Sequence, residues 1–212
     1  MRAVGVFGGM FDPIHYGHLR TAYELQKKLS LDEVRFLPCA NPPHRSAAAV
    51  DAALRTRMLA AAIRGQPGFV VDDRESKRSG PSYTVDTLEE LQTDFPDASL
   101  CLILGMDVFL GLPQWHEWRK LLDLAHIVAV ERPGWRAPDS GALSGLVERH
   151  ATADPDDLRR ERHGRIFLAE VTQLEISSTG LRSAIRAGLE PRYLVPDAAL
   201  KVITETGCYA TH

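Results

Sequence analysis

Cysteine is scarce in this 212-residue chain: Cys39, Cys101 and Cys208 are odd in number and form no CxxC pair. That excludes a disulfide framework and a cysteine-based zinc site, and it suits a reducing compartment. Long apolar runs are missing too. The longest, residues 100–106, falls far short of the ~20 residues that cross a bilayer. The apolar stretch at the start is too short for a secretory signal and breaks at Gly8-Gly9. Nor is there a basic excess: Lys and Arg total 25 against 28 for Asp and Glu, whereas proteins that live on nucleic-acid backbone usually carry surplus positive charge. Neither a nucleic-acid nor a membrane partner is expected, so any anion must be held by a local site. What remains is a cytoplasmic globular protein, large enough to bury one core and small enough to be one domain.

Short apolar runs rich in β-branched residues alternate with helical patterns along the chain. Strands are predicted at 3–7, 34–38, 69–71, 100–104, 126–130 and 166–171. Helices are predicted at about 16–29, 51–64, 83–94, 115–124, 175–186 and 196–206. This alternation predicts an α/β fold, a doubly wound parallel sheet with helices on both faces and right-handed crossovers, in a single domain. Residues 133–164, rich in Pro, Gly and charge, read as a surface excursion with one exposed helix and a solvated face of mixed sign.

Gly8 and Gly9 follow the first strand directly, and His15 and His18 flank the start of the first helix, within GGMFDPIHYGH. In an open α/β sheet, ligands bind outside the carboxyl ends of the strands, where this turn belongs. Glycines let backbone come close to a ligand, and the N–H groups of a helix start favour phosphates. Two imidazoles three apart share a face if that turn is helical, and Gly17 between them leaves room for a ligand. Each feature alone has a plainer reading. Gly-Gly is a tight turn that matches neither GxGxxG nor GxxxxGK[ST], Asp12-Pro13 is a turn signal, and two histidines can be satisfied polar groups or half a metal site. Together, at a strand-to-helix junction, they point to a polyphosphate site. Towards the other end, Ile176-Ser177-Ser178-Thr179 precedes a helix carrying Arg182 and Arg186. One hydroxyl there is commonly just an N-cap, worth ~1 kcal/mol. The cluster has more donors than a cap needs, and the planar fork of Arg182 suits phosphate oxygens. Gly180, in the first turn, is expected to loosen the helix start.

GGMFDPIHYGH resembles the HxGH signature of the nucleotidyltransferase superfamily, whose fold is Rossmann-like. The resemblance implies that His15 and His18 contact a nucleoside triphosphate and stabilise the transition state of nucleotidyl transfer. It makes ISSTGLR (Ile176–Arg182) the superfamily's C-terminal motif, with Ser178, Thr179 and Arg182 on the ATP phosphates. Between the two motifs lie PPHR (Pro42–Arg45), SYTVDTL (Ser82–Leu88) and GMDVFLGLPQW (Gly105–Trp115). From the residues alone, Trp115 offers a flat face for an aromatic ring, His44 and Arg45 can hold a phosphate, and Asp107 can accept from ribose hydroxyls. Tyr83 and Trp115 also read as core aromatics. In this order and spacing the segments, with ERPG (Glu131–Gly134), resemble the bacterial nicotinate mononucleotide adenylyltransferases from about Val4 to Tyr209. The ATP site so implied comprises Gly8, Gly9, Met10, Phe11, His15, His18, Gly105, Asp107, Ser178, Thr179 and Arg182. The acceptor site so implied comprises Asp12, His44, Arg45, Tyr83, Thr84, Trp115 and Arg132, with the Tyr83 and Thr84 amides on the nicotinate carboxylate and Trp115 on its ring. Met10 stands where many relatives have a hydroxyl, so a contact there must come from backbone.

The implied reaction joins ATP and nicotinate mononucleotide into deamido-NAD and pyrophosphate. The attacking phosphate monoester, with a second pKa of ~6, is largely ionised at neutral pH and needs no enzymic base. Catalysis must then come from aligning two anions and neutralising charge on the departing pyrophosphate. Mg2+ is expected on the triphosphate, held mostly by phosphate and water, with no metal site of the protein's own. The alternatives are the amide mononucleotide or phosphopantetheine as acceptor, and a nucleotide-binding regulator without turnover. The SYT and PQW segments argue against phosphopantetheine; the intact histidines and Arg182 argue against a regulator.

Overall fold

A strand buried on both faces reads as an unbroken apolar run, because neither side of its pleat meets water. The run at 100–104 is such a strand in the computed structural model, which describes residues 1–41, 48–131, 138 and 140–210. In chain order, β1 (Arg2–Gly9) leads to α1 (Tyr16–Lys28), β2 (Glu33–Pro38), α2 (Ala52–Ile63), β3 (Phe69–Val71), α3 (Thr84–Asp94) and β4 (Ala98–Gly105). There follow α4 (Met106–Leu110), α5 (Leu121–Leu124), β5 (His126–Val130), α6 (Gly141–His150), β6 (Ala151–Thr152) and α7 (Asp157–Arg160). The chain ends with β7 (Ile166–Ala169), α8 (Ser178–Arg186) and α9 (Asp197–Thr206). All pairings are parallel, in the order β3-β2-β1-β4-β5-β7-β6.

Alternate residues of each central strand belong to different cores. Leu100, Leu102 and Leu104 pack with Leu88 and Leu91 of α3 and Phe109 of α4. Cys101 and Ile103 face the other way, toward the layer that holds Leu25 of α1, Met58 of α2 and Ala199 of α9. Helices therefore cover both faces, as the sequence predicts. The winding reverses between β1 and β4, and that is where an open sheet leaves a crevice for a ligand. The register pairs Phe7 with Ile103, so Gly9 and Gly105, each two residues further on, end level at this crevice.

Two expectations need correction. The helix predicted across 115–124 is broken: short 3-10 turns at Leu112–Gln114 and Trp118–Lys120 precede α5. Glu117 between them is left-handed, with φ 48°, which interrupts any regular right-handed helix. Residues 133–164 are more than a surface excursion. Their described part supplies two helices and the strand β6 paired to β7, and Leu158 is fully buried in the core. The solvated charges are there as read, with Arg160 paired to Asp154 and Asp157. Where β5 begins, His126 is buried: its Nδ1 accepts from Arg165 N at 3.0 Å, so Nε2 carries the proton and donates to Glu161 O at 3.1 Å. Burial holds its pKa below the ordinary imidazole value. Among the described residues no helix is long and apolar enough to cross a membrane.

Candidate active site

The chain leaves β1 through residues 10–14, and donors from distant segments fix their carbonyls one after another. Arg55 of α2, 1% exposed, donates from Nη1 to Met10 O at 2.7 Å. Arg182 Nη1 donates to Asp12 O at 2.7 Å, and Ser178 Oγ to Pro13 O at 3.0 Å. A trans peptide sends its N–H to the side opposite its carbonyl. Carbonyls turned into the protein at Met10 and Pro13 therefore turn the Phe11 and Ile14 amides the other way. Phe11 adopts φ 46°, a left-handed conformation that a bulky residue keeps only when its surroundings hold it. Its ring is buried edge-on against Phe7, with centroids 5.8 Å apart, and against His18, 5.2 Å apart.

His15 is the N-cap of α1 rather than part of its first turn, yet its ring meets that of His18 with centroids 3.7 Å apart and planes 31° apart. Gly17 also makes room for the first histidine: a Cβ there would lie 3.0 Å from both Cε1 and Nδ1 of His15. At Gly8, by contrast, a Cβ would point into open space.

The C-terminal motif arrives from the far end of the chain. Ser177 caps α8 by accepting from Gly180 N at 3.1 Å, and a Cβ on residue 180 would crowd that same oxygen. Gly180 thus gives the cap room instead of loosening the helix. Arg182 also donates from Nη2 to Thr179 Oγ1 at 3.2 Å, so Ser178 and Arg182 reach the loop that carries the two histidines and Thr179 joins them through Arg182. Asp12, 3% exposed, collects what surrounds it. Its Oδ1 accepts from the Tyr209 hydroxyl at 2.6 Å and its Oδ2 from Ala49 N at 2.7 Å. Both carboxylate oxygens of this expected acceptor residue are therefore engaged by the protein itself.

The acceptor-side segments gather at the same edge. Ser82 N donates to Asn41 O at 3.0 Å, tying the SYT turn to the chain leaving β2. Tyr83 is the N-cap of α3 and Thr84 its first residue. The Tyr83 ring lies 4.3 Å from that of His116, tilted by 32°, and Trp115 beside it is half-buried against the core formed by α3, α4 and α5. Asp107 is half-buried in α4, two residues after Gly105. His44, Arg45 and Arg132 lie outside the described residues. Sequence reasoning missed Arg55, His116 and Tyr209. Arg55 carried one usable signal, a charge in the middle of the apolar face at 51–64.

Comparison with known proteins agrees with this arrangement. The cytidylyltransferase-like family model matches residues 6–184. A protein of Aeromonas hydrophila named "Probable nicotinate-nucleotide adenylyltransferase" is 48% identical over 97% of this chain and 96% of its own length. One of Methylococcus capsulatus with the same name is 47% identical over 98% and 99%. The solved structure of Plasmodium falciparum nicotinic acid mononucleotide adenylyltransferase complexed with NaAD superposes with a TM-score of 0.75 at 18% identity, covering 99% of this chain and 98% of that one, a likeness of fold. With its two motifs joined at one loop, the chain belongs to the cytidylyltransferase-like family and, within it, to the nicotinate-nucleotide adenylyltransferases.

Proposed function

We propose that this chain transfers the adenylyl group of ATP to nicotinate mononucleotide, forming deamido-NAD and releasing pyrophosphate. The observation that carries this reading is the meeting of His15 and His18 with Ser178 and Arg182 on one loop at the carboxyl end of β1. An oxygen of the acceptor phosphate attacks the α-phosphorus of ATP, the bond from that phosphorus to the bridging oxygen breaks, and the electron pair leaves with pyrophosphate. The groups around the loop match this need. Imidazoles, hydroxyls and a guanidinium are donors for anionic oxygens, fixed in place before charge develops and so able to stabilise it without rearranging.

In this reading His15 and His18 face the triphosphate, while Ser178, Thr179 and Arg182 hold the departing phosphates. Gly8, Gly9, Met10 and Phe11 give backbone to the nucleotide, and Gly105 and Asp107 lie along its adenosine. Tyr83, Thr84 and Trp115 take the nicotinate, with Asp12 shaping the loop next to it; His44, Arg45 and Arg132 complete the acceptor side. The donor set at the loop suits anions and not Mg2+, which prefers carboxylate and water oxygens. Mg2+ is accordingly read as part of the substrate, MgATP, where it draws charge from the phosphoryl oxygens.

Pyrophosphate release from ATP, measured side by side with nicotinate mononucleotide, nicotinamide mononucleotide and phosphopantetheine, tests the proposal. Fastest release with the nicotinate acceptor supports it. Preference for either other acceptor, or release from none, overturns it.

A further inference from the structure

We propose that Tyr209 is a positioning residue for the triphosphate site: by occupying the Asp12 carboxylate, it keeps the Arg182 guanidinium available to phosphate. The inference rests on the assignment of Arg182 to the ATP phosphates made above.

A buried carboxylate must be satisfied by donors. Asp12 has two strong ones on opposite oxygens, the Tyr209 hydroxyl at 2.6 Å and Ala49 N at 2.7 Å. Arg182 stands immediately beyond. Its Nη1 is bonded to the main-chain oxygen of Asp12 at 2.7 Å, and the same nitrogen is 3.8 Å from Oδ2. That is the outer limit of an ion pair and not a hydrogen bond. The three groups are therefore arranged as competitors for one carboxylate.

Were the phenol donor lost, the Asp12 carboxylate would turn to the Arg182 guanidinium, already 3.8 Å from Oδ2. A direct, fork-like pair between Arg and carboxylate is strong, and stronger away from bulk water. Such a pair would use the guanidinium edges that a polyphosphate needs. Tyr209 is suited to prevent this. Its ring is buried in the core, and burial together with the adjoining Asp12 charge pushes the phenol well above its ordinary pKa, so it stays a donor. The chain makes two left-handed steps to put it there, Gly207 at φ 63° and Tyr209 at φ 72°. At a tyrosine that conformation is unfavourable and needs holding by its contacts.

The test is equilibrium titration of the full chain with ATP and with AMP, which lacks the outer phosphates. Tyr209→Phe removes one oxygen and keeps the ring. It should weaken ATP on the order of 10-fold, the scale of a lost charge-assisted hydrogen bond, and leave AMP unchanged. In an Asp12→Asn background, where no carboxylate competes for Arg182, Tyr209→Phe should have no further effect. An equal weakening of ATP and AMP, or full additivity with Asp12→Asn, overturns the proposal and reduces Tyr209 to a packing residue. If Asp12→Asn does not fold, Arg182→Ala serves as the background, and any further loss of ATP affinity from Tyr209→Phe again overturns it. Wild-type protein that binds no ATP would sink the functional reading and this inference together, whereas normal ATP binding by Tyr209→Phe sinks only the inference.

Discussion

Two imidazoles 3.7 Å apart are arranged by their neighbours, not by their own attraction. Phe11 lies edge-on to the His18 ring, and Gly17 leaves the space into which the His15 ring fits. His18→Ala should lower kcat by ~10²-fold or more, the usual effect of removing one transition-state donor, and steady-state kinetics showing near-normal turnover would remove the residue from the chemistry. Gly17→Ala is a sharper probe because stability and activity should part company. Alanine favours the helix by up to ~1 kcal/mol, yet its methyl, 3.0 Å from two atoms of the His15 ring, would push that ring by a few tenths of an ångström, and catalysis depends steeply on such alignment. We expect an unchanged or higher melting temperature with a lower kcat, and an unaffected kcat would show that the ring does not need its place. At this scale the sequence revealed what is local. Gly8, Gly9, His15 and His18 sit within eleven residues, and Ser178, Thr179 and Arg182 within five. Tyr209 and Asp12 are 197 positions apart, and no pattern of spacing joins them until the chain is folded.

Elements were legible where one rule governed them. β3 and β5 fall on the predicted boundaries because short β-branched runs bounded by turns have few other readings. The 115–124 segment failed because its apolar residues have helical spacing while Glu117 takes a left-handed step that its residue type does not announce. β6 was hidden for a different reason: two residues, Ala151 and Thr152, are too few to show any period. The junction of β5 with β7 gives a prediction of its own. His126 is neutral in the folded chain and accepts from Arg165 N. Unfolded, it takes up a proton around 6.5; folded, only at lower pH. The unfolded state thus binds more protons in that interval, and stability present above pH 6.5 is lost as pH falls through it. Urea denaturation of wild type and His126→Gln should show a gap that is widest above neutrality and narrows toward pH 5. A gap independent of pH would mean that His126 does not titrate this way.

On the scale of the whole molecule, the triphosphate side of the site is assembled from the loop after the first strand and the starts of α1 and α8, with Arg55 of α2 and Tyr209 of the tail after α9 closing around the same loop. The alternation of strands and helices made the doubly wound sheet readable in advance. The meeting of the two ends was implied by the resemblance of the two motifs; the strand order shows how it is reached, with β1 inside the sheet beside the central β4 and α8 and the tail returning to it. A ligand held by both ends should resist global unfolding. At ~100 times its Kd, ATP adds ~2.7 kcal/mol, or roughly 5–11 °C for a domain of this size. Differential scanning fluorimetry should show such a rise in wild type and a much smaller one in Arg182→Ala; equal rises would mean that Arg182 does not hold ATP.

The sheet's outermost strands, β3 and β6, have only three and two residues. A foreign segment trying to zip onto either margin would find main-chain partners for a couple of hydrogen bonds and no more. Fibril-like growth from the native state therefore has almost nothing to grow on, however concentrated the protein becomes.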